Sequence, residues 1–333
     1  MSEVTLSVVA PCFNEEETLH ALYGRVREAC EDAVGDGFEI VLVDDGSTDA
    51  TWPIITELAS ADPRVRGVKL SRNHGHQLAL TAGLAEARGE RILMIDADLQ
   101  DPPELARDMM ALMDQGADVV YGKRVSREGE SGFKKLSAAL FYRTIAWLSD
   151  VDIPVDTGDF RMVSRQVLDD FLQMKERHRF VRGMIAWVGH EQVALEYARE
   201  ARYAGETKYP LRKMLKFAGD AITGFSIAPL RLATTISYLA LFAAFVLAAV
   251  VLVAVVQGRT VPGWASITLV ISFFSGVQLL SLGIIGEYLG RLYLEAKGRP
   301  LTIVSRRTYD TRSGAARQPP TQEADDGGVR RIS

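Results

Sequence analysis

Up to Gly122 the apolar and polar positions switch repeatedly between two periods. Thr5-Leu6-Ser7-Val8-Val9-Ala10 is a short apolar run of strand type, and Leu19, Leu22, Val26 and Ala29 then recur at helical spacing. Phe38 to Val43 predicts a second strand, Thr48 to Ala59 a helix, Val65 to Leu70 a third strand, Gln77 to Ala87 a helix and Arg91 to Ile95 a fourth strand. Pro103 to Gln115 and Val119 to Tyr121 complete the alternation. A βαβ succession of this kind predicts an α/β domain with a mainly parallel, Rossmann-like sheet and helices on both faces.

The pattern changes after Ile236. No charged residue occurs from Ile236 to Val256 or from Trp264 to Ile285, and each run is long enough to cross a hydrocarbon core about 30 Å thick. Buried helices of a large core are the alternative. Two such runs joined only by Gln257-Gly258-Arg259-Thr260-Val261-Pro262-Gly263 read better as a membrane hairpin with one short outer turn. Lys208, Arg212, Lys213, Lys216 and Arg231 precede it and Arg291, Lys297, Arg299, Arg306 and Arg307 come after it, against Arg259 alone in the turn. The positive-inside rule therefore places the α/β domain and both termini in the cytosol, at an inner or plasma membrane crossed more than once. The N-terminus has no basic stretch followed by a long apolar one, so no signal peptide is expected.

Two further stripes sit beside this hairpin in the pattern. Phe133, Leu136, Leu140, Thr144 and Leu148 share one helical face, with Lys134, Lys135 and Arg143 elsewhere. Leu211, Met214, Leu215, Ala218, Ile222 and Phe225 do the same, with Arg212, Lys213 and Lys216 elsewhere. Such stripes commonly face a core, but the second leads straight into the hairpin, which favours the membrane surface and contact with membrane lipids. From about Thr311 the chain is rich in Gly, Pro and charge, a composition that predicts disorder. The resulting division is 1–209, a catalytic domain; 210–232, an amphipathic juxtamembrane helix; 233–289, the hairpin; and 290–333, a cytosolic tail. Gly276, Ser281, Gly283 and Gly286 on the second span would permit close helix packing, so a homo-oligomer is open.

Composition adds exclusions. With 333 residues, 47% of them hydrophobic, the chain can bury a full-sized core in addition to the hairpin. A net charge of -5 gives no electrostatic footprint for a nucleic acid, and the basic residues gather beside the spans instead. Cys12 and Cys30 are the only cysteines and lack metal-like spacing, as in a reducing compartment. Neither a G-x-G-x-x-G nor a G-x-x-x-x-G-K-[ST] string occurs, which argues against a dinucleotide oxidoreductase and a P-loop NTPase.

The candidate chemistry lies at three strand ends: Pro11-Cys12-Phe13-Asn14-Glu15-Glu16, Asp44-Asp45-Gly46-Ser47-Thr48-Asp49 and Asp96-Ala97-Asp98-Leu99-Gln100-Asp101. In a parallel sheet all three fall along one edge, where open α/β sheets bind ligands. Each taken singly also fits a helix N-cap or an ordinary turn. Paired carboxylates at a strand mouth suit a hard divalent cation, Mg²⁺ or Mn²⁺, which neutralises a diphosphate. His74 and His76 have no companions at ligand spacing and read as loop residues.

The strings V-V-A-P-C-F-N-E-E, V-D-D-G-S-T-D and D-A-D-L-Q-D-P-P resemble the family 2 glycosyltransferases of GT-A fold. The last is most similar to polyprenyl-phosphate sugar transferases, including dolichyl-phosphate mannose synthases, and the likeness runs from about Val4 to Val304. It implies that Pro11, Asn14, Glu15, Asp45, Ala97 and Asp98 hold a nucleotide-sugar, with Asp44 beside them. Asp96, Asp98 and Gln100 would gather around the cation. Arg124 would face the phosphates, unless it is simply a solvated surface charge. Asp156-Thr157-Gly158-Asp159-Phe160-Arg161 resembles a loop carrying an acceptor-side carboxylate, Asp159. Arg202-Tyr203-Ala204-Gly205-Glu206-Thr207-Lys208 resembles a segment that brings Arg202 and Lys208 to phosphate oxygens, with Lys134 and Lys135 as further contacts to the acceptor phosphate.

The implied activity is inverting transfer of a sugar, UDP-glucose being the first choice of donor over GDP-mannose or another UDP-sugar, to a polyprenyl phosphate for cell-envelope glycans. Two alternatives stand beside it. A processive polysaccharide synthase typically carries Q-x-x-R-W, and this chain has no Arg-Trp pair. A non-catalytic membrane scaffold has no need of Asp96, Asp98, Gln100, Arg124 and Arg202 together.

Overall fold

Every residue of β1 (Leu6–Cys12) and β2 (Phe38–Asp44) is buried, as strands covered on both faces must be. The computed structural model describes residues 4–124, 157–177, 179–198, 228–258 and 263–309. β3 (Val65–Leu70) pairs in parallel with β2, and β4 (Arg91–Met94) in parallel with β1. Around them run α1 (Leu19–Val34), α2 (Thr51–Ala61), α3 (His76–Leu84) and α4 (Ala106–Asp114), the last entered through a 3-10 turn at Pro103–Leu105. All of these stand where the hydrophobic pattern expects them.

Strand alternation divides the core into two halves. Leu6, Val8, Ala10, Ile40 and Leu42 pack with Leu22, Val26, Ile55 and Met109 of α1, α2 and α4. Val9, Val41, Val43 and Val68 pack on the other side with Ala79 and Leu80 of α3. That second half is completed by α5 (Arg165–Gln173) and α6 (Val181–Val188), through Val167, Phe171, Met184 and Ile185.

The sheet is wider than the pattern expects. With β5 (Val119–Arg124), β6 (Thr157–Ser164), β7 (Gln192–Tyr197) and β8 (Val304–Arg307), its order is β7-β5-β6-β4-β1-β2-β3-β8. β6 is antiparallel to both β4 and β5, and β8 is antiparallel to β3. The segment around Asp159 is therefore a strand and not a loop. Its polar positions Asp159 and Arg161 break the apolar run that marks β1 and β2, and its partners lie far away in sequence.

A second correction concerns the chain after the two expected spans. Helices α7 (Ala228–Val256) and α8 (Trp264–Ala296) cover both expected spans and pack on each other. Among the described residues, Phe273–Ala296 alone is long and apolar enough to cross a membrane. The chain beyond α8 is more than a tail. Val304 pairs with Leu70, Ser71 N–H donates to the Ile303 carbonyl at 2.8 Å, and Arg307 and Tyr309 bond to Glu86 at 2.6 and 2.7 Å. The catalytic sheet thus takes its last strand from beyond α8, and a domain boundary at residue 209 leaves that strand out. The amphipathic stretches at 133–148 and 211–225, and the segment from Thr311, lie outside the described residues.

Candidate active site

The loops at the C-terminal ends of β1, β2 and β3 are laced together before any ligand is considered. Asn14 adopts φ +56°, donates its backbone N–H to Ser47 Oγ at 3.0 Å and accepts the Thr48 N–H on Oδ1 at 2.9 Å. Glu15 N–H donates to Thr51 Oγ1 at 2.9 Å, and Glu16 accepts the Ala50 N–H at 2.9 Å. Asp45 accepts the N–H groups of His74 and Gly75 at 2.7 and 2.9 Å, one on each carboxylate oxygen. Gly46 permits this closeness: at φ +71° a Cβ would stand 2.5 Å from the Arg72 carbonyl carbon.

These bonds sort the expected donor residues. Asp44 is fully buried, accepts the Ser47 N–H at 2.8 Å and faces Lys69 at 3.2 Å, so its carboxylate holds the loop from beneath. Asp45 is also buried, its oxygens turned to backbone amides. Pro11 is buried in β1, and the Ala97 methyl is buried in the core. Asn14 and the half-buried Glu15 remain at the surface of the crevice.

Beyond β4 the chain turns sharply, with Leu99 at φ +58° and its side chain in the core. Asp98 Oδ1 accepts the Gln100 N–H at 3.1 Å within this turn. Met94 pairs with Arg161, and continuing that antiparallel register by two residues sets Asp96 across from Asp159. His76, the first residue of α3, stands between them. Its Nε2 is 3.4 Å from Asp96 Oδ1 and 3.2 Å from Asp159 Oδ2. The ligand-spacing argument reads His76 as a loop residue, and the structure corrects it. The signal that could have found it is its place just past β3, on the same edge as the three acidic strand ends.

The electrostatics of this group arise from burial and crowding. Burial pushes the Asp96 carboxyl up to about 6; His76 opposes that rise, and Asp159, Asp101 and Asp98 add to it. For Asp159 burial also acts upward, but the hydrogen bond with His76 and the charges of His76, Arg182 and Arg161 hold it well below the usual carboxylate range. His76 is pushed up to about 9, because Asp159 and Asp96 outweigh the effect of burial. Arg161 is buried beneath, its guanidinium donating to the Gly158 carbonyl at 3.0 Å, and desolvation lowers it to about 10.

Asp159, Asp101 and Asp98 all act to raise Asp96, so negative charge is gathered at this strand end, as suits a hard divalent cation. Among the described residues no three Asp, Glu, His or Cys side chains converge into a metal cage.

Arg124 ends β5 beside this crevice and is not a free surface charge. Its Nη2 lies 3.6 Å from Asp101 Oδ1, and its Nε donates to the Tyr197 hydroxyl at 3.2 Å. The guanidinium lies close against Gly158, where a Cβ would sit 2.5 Å from Nη2. Asp101 closes the acidic run after β4 without a role of its own there, and Tyr197 carries no motif that singles it out in the sequence. Arg202, Lys208, Lys134 and Lys135 lie outside the described residues.

The family model described as glycosyl transferase family 2 matches residues 7–172. The uncharacterized glycosyltransferase YkcC of Bacillus subtilis is 47% identical over 91% of this chain and 94% of its own length. The prophage bactoprenol glucosyl transferase homolog of Escherichia coli is 40% identical over 90% and 98% respectively. Among solved structures, S. aureus TarS 1-349 in complex with UDP-GlcNAc is 22% identical over 66% of this chain and 65% of its own, with a TM-score of 0.46.

Proposed function

The chain belongs to glycosyl transferase family 2 and is a glycosyltransferase using a nucleotide-sugar; from that premise we propose that it transfers the sugar to a polyprenyl phosphate at a membrane's cytosolic face. The observation that carries this reading is the place where the chain returns from α8. Val304 pairs with Leu70 and Ile303 with Ser71, at the C-terminal end of β3, the sheet edge on which Asp96, Asp98 and His76 lie. Arg177 adds a second tie there, its N–H donating to Glu295 and its guanidinium to the Arg299 carbonyl, both at 2.7 Å.

A crevice on the edge that faces the hairpin meets a lipid phosphate by confinement rather than by free diffusion. With 33 residues α8 is about 50 Å long, more than the ~30 Å hydrocarbon layer, so the end bearing Glu295 stands clear of the lipid. α7 would return through the same layer to complete a two-span hairpin. The bactoprenol glucosyl transferase homolog, similar over nearly its whole length, supports a polyprenyl phosphate acceptor and glucose as the sugar, with UDP-glucose the first donor to try.

In this reading Asn14 and Glu15 meet the nucleoside, with Pro11, Asp44, Asp45 and Ala97 shaping the loops behind them. Asp96, Asp98 and Gln100 would hold Mg²⁺ or Mn²⁺, which when bound neutralises the charge of the departing nucleoside diphosphate. Arg124 faces the phosphates, and Arg202, Lys208, Lys134 and Lys135 supply charge to the acceptor. A phosphate monoester, with its second pKa near ~6, is mostly dianionic at neutral pH and needs no general base. Asp159 therefore orients the acceptor and its basic partners, and displacement at the sugar carbon inverts it.

The test is incubation of membranes carrying the full chain with radiolabelled UDP-glucose, GDP-mannose and other UDP-sugars, followed by extraction of the lipid phase. Label in the lipid phase that depends on added bactoprenyl phosphate is expected. Label confined to an insoluble polymer would overturn the acceptor assignment.

A further inference from the structure

Gln77 has a bond at each end of its carboxamide. Nε2 donates to Asp159 Oδ2 at 2.7 Å, and Oε1 accepts the backbone N–H of Val181, the first residue of α6, at 2.8 Å. A carboxamide offers a donor and an acceptor at this separation, and the two partners fix which end points where. His76 Nε2 also approaches Asp159 Oδ2, at 3.2 Å. Asp159 Oδ1 is buried and has no hydrogen-bond partner among the described residues. One carboxylate oxygen is thus doubly engaged and the other is not.

The backbone that carries Gln77 is rigid. α3 is pressed onto the sheet so closely that a Cβ at Gly83 would meet Val9 and Val43 side-chain atoms at 2.5 and 2.7 Å. Val181 is fully buried in the core half that α3 shares with α6. Both supports of the carboxamide are therefore fixed by packing.

We propose that Gln77 is a positioning residue for Asp159, its carboxamide clamped between that carboxylate and the start of α6 so that Oδ1 is the oxygen presented to the acceptor. The inference rests on the acceptor role of Asp159 given above. A dangling buried oxygen costs free energy that a well-placed partner recovers. Holding Oδ1 in place thus turns that cost into a preference for the bound acceptor.

Two substitutions in the full chain in lipid nanodiscs separate positioning from simple tethering of α6. Gln77→Leu removes both bonds. Gln77→Glu keeps an acceptor for Val181 N–H but sets a second carboxylate against Asp159. With UDP-glucose and bactoprenyl phosphate as probes, Gln77→Leu is expected to lower kcat about 10-fold and Gln77→Glu about 10²-fold, with the KM for UDP-glucose within about twofold. If Gln77 only tethers α6, Gln77→Glu keeps the wild-type rate and Gln77→Leu is the worse variant, and that order overturns the proposal. Should Gln77→Leu not fold, Gln77→Met gives the same comparison. If the wild type transfers no sugar from any donor, the functional reading fails by itself. The positioning is then decided by a cryo-EM structure of the Leu or Met variant: a rotated Asp159 carboxylate supports it and an unmoved one overturns it.

Discussion

Arg124 and Tyr197 face each other as register partners on the parallel strands β5 and β7, and the Arg124 Nε–H donates to the Tyr197 hydroxyl at 3.2 Å. That hydroxyl in turn donates to Asp101, which is fully buried. One oxygen therefore aims the guanidinium and supplies a donor to a carboxylate shut away from water. The phenol is pushed up to about 12, by burial first and then by Asp101. Tyr197→Phe is expected to cost about 1–3 kcal/mol of stability, because a buried acceptor loses its donor. It should also lower kcat about 10-fold by releasing Arg124. Thermal melting together with steady-state transfer rates measures both, and an unchanged kcat would show that Arg124 needs no such support.

Asp98 sits in a turn beyond β4 and not in the core, so Asp98→Ala should leave the fold intact. Loss of a charge-stabilising group at the reacting phosphates is expected to lower transfer about 10²- to 10³-fold. Activity should vanish in excess EDTA and return with Mg²⁺ or Mn²⁺. Full activity in EDTA would remove the cation from the site.

Truncation has a different expected outcome from the one the domain division implies. Ending the chain near Tyr209 spares every donor motif but removes β8, leaving the edge of β3 unpaired and Glu86 without Arg307 and Tyr309. A chain ending at Lys297 retains α7 and α8 and loses that strand with the bonds of Arg299, Ile303, Thr308 and Tyr309 around it. It is expected to melt at least ~5 °C below the full chain and to bind UDP less tightly, whereas a chain ending at Tyr309 should match the full chain. Equal melting of all three would mean that β8 contributes nothing.

Stability should fall on the acid side through Glu39. This carboxylate is buried; burial acts to raise it, but bonds from Ser7 and Arg88 and the charge of Arg66 hold it below its ordinary 4.5. A depressed carboxyl contributes stability that is complete above its unfolded value and is lost as pH falls through the folded one. The melting temperature is therefore expected to be flat above about pH 6 and to drop below about pH 4.5. Glu39→Gln should cost about 3 kcal/mol at neutral pH, since two arginines lose their partner, and should make the acid limb shallower. A variant whose acid limb keeps the wild-type steepness would show that other carboxylates carry the transition.

The local pattern alone determined the central sheet and its helices. β1, β2, β3 and β4 are apolar runs whose burial depends on period and length, and α1 to α4 carry their apolar faces at helical spacing. The acidic strand ends were legible for the same reason, because a parallel sheet brings the ends of successive strands to one edge wherever they lie in sequence. The two long helices were legible from the absence of charge.

What only the tertiary structure decided is which side chains meet across that edge. His76 had only its place just past β3 as a signal, since its significance lies in Asp96 and Asp159, and Asp159 reaches the site on a strand inserted antiparallel between β4 and β5. Gln77 and Tyr197 were silent for the same reason, and Asp101 showed no role of its own within its acidic run: each acts through a partner tens of residues away. β8 was hidden because four residues with two arginines carry no strand period of their own. It forms because β3 has a free edge and because Glu86 and Gly67 supply partners for Arg307, Tyr309 and Thr308. Periodicity records burial along one element, whereas pairing and charge complementarity are properties of two elements at once, and only the folded chain contains both.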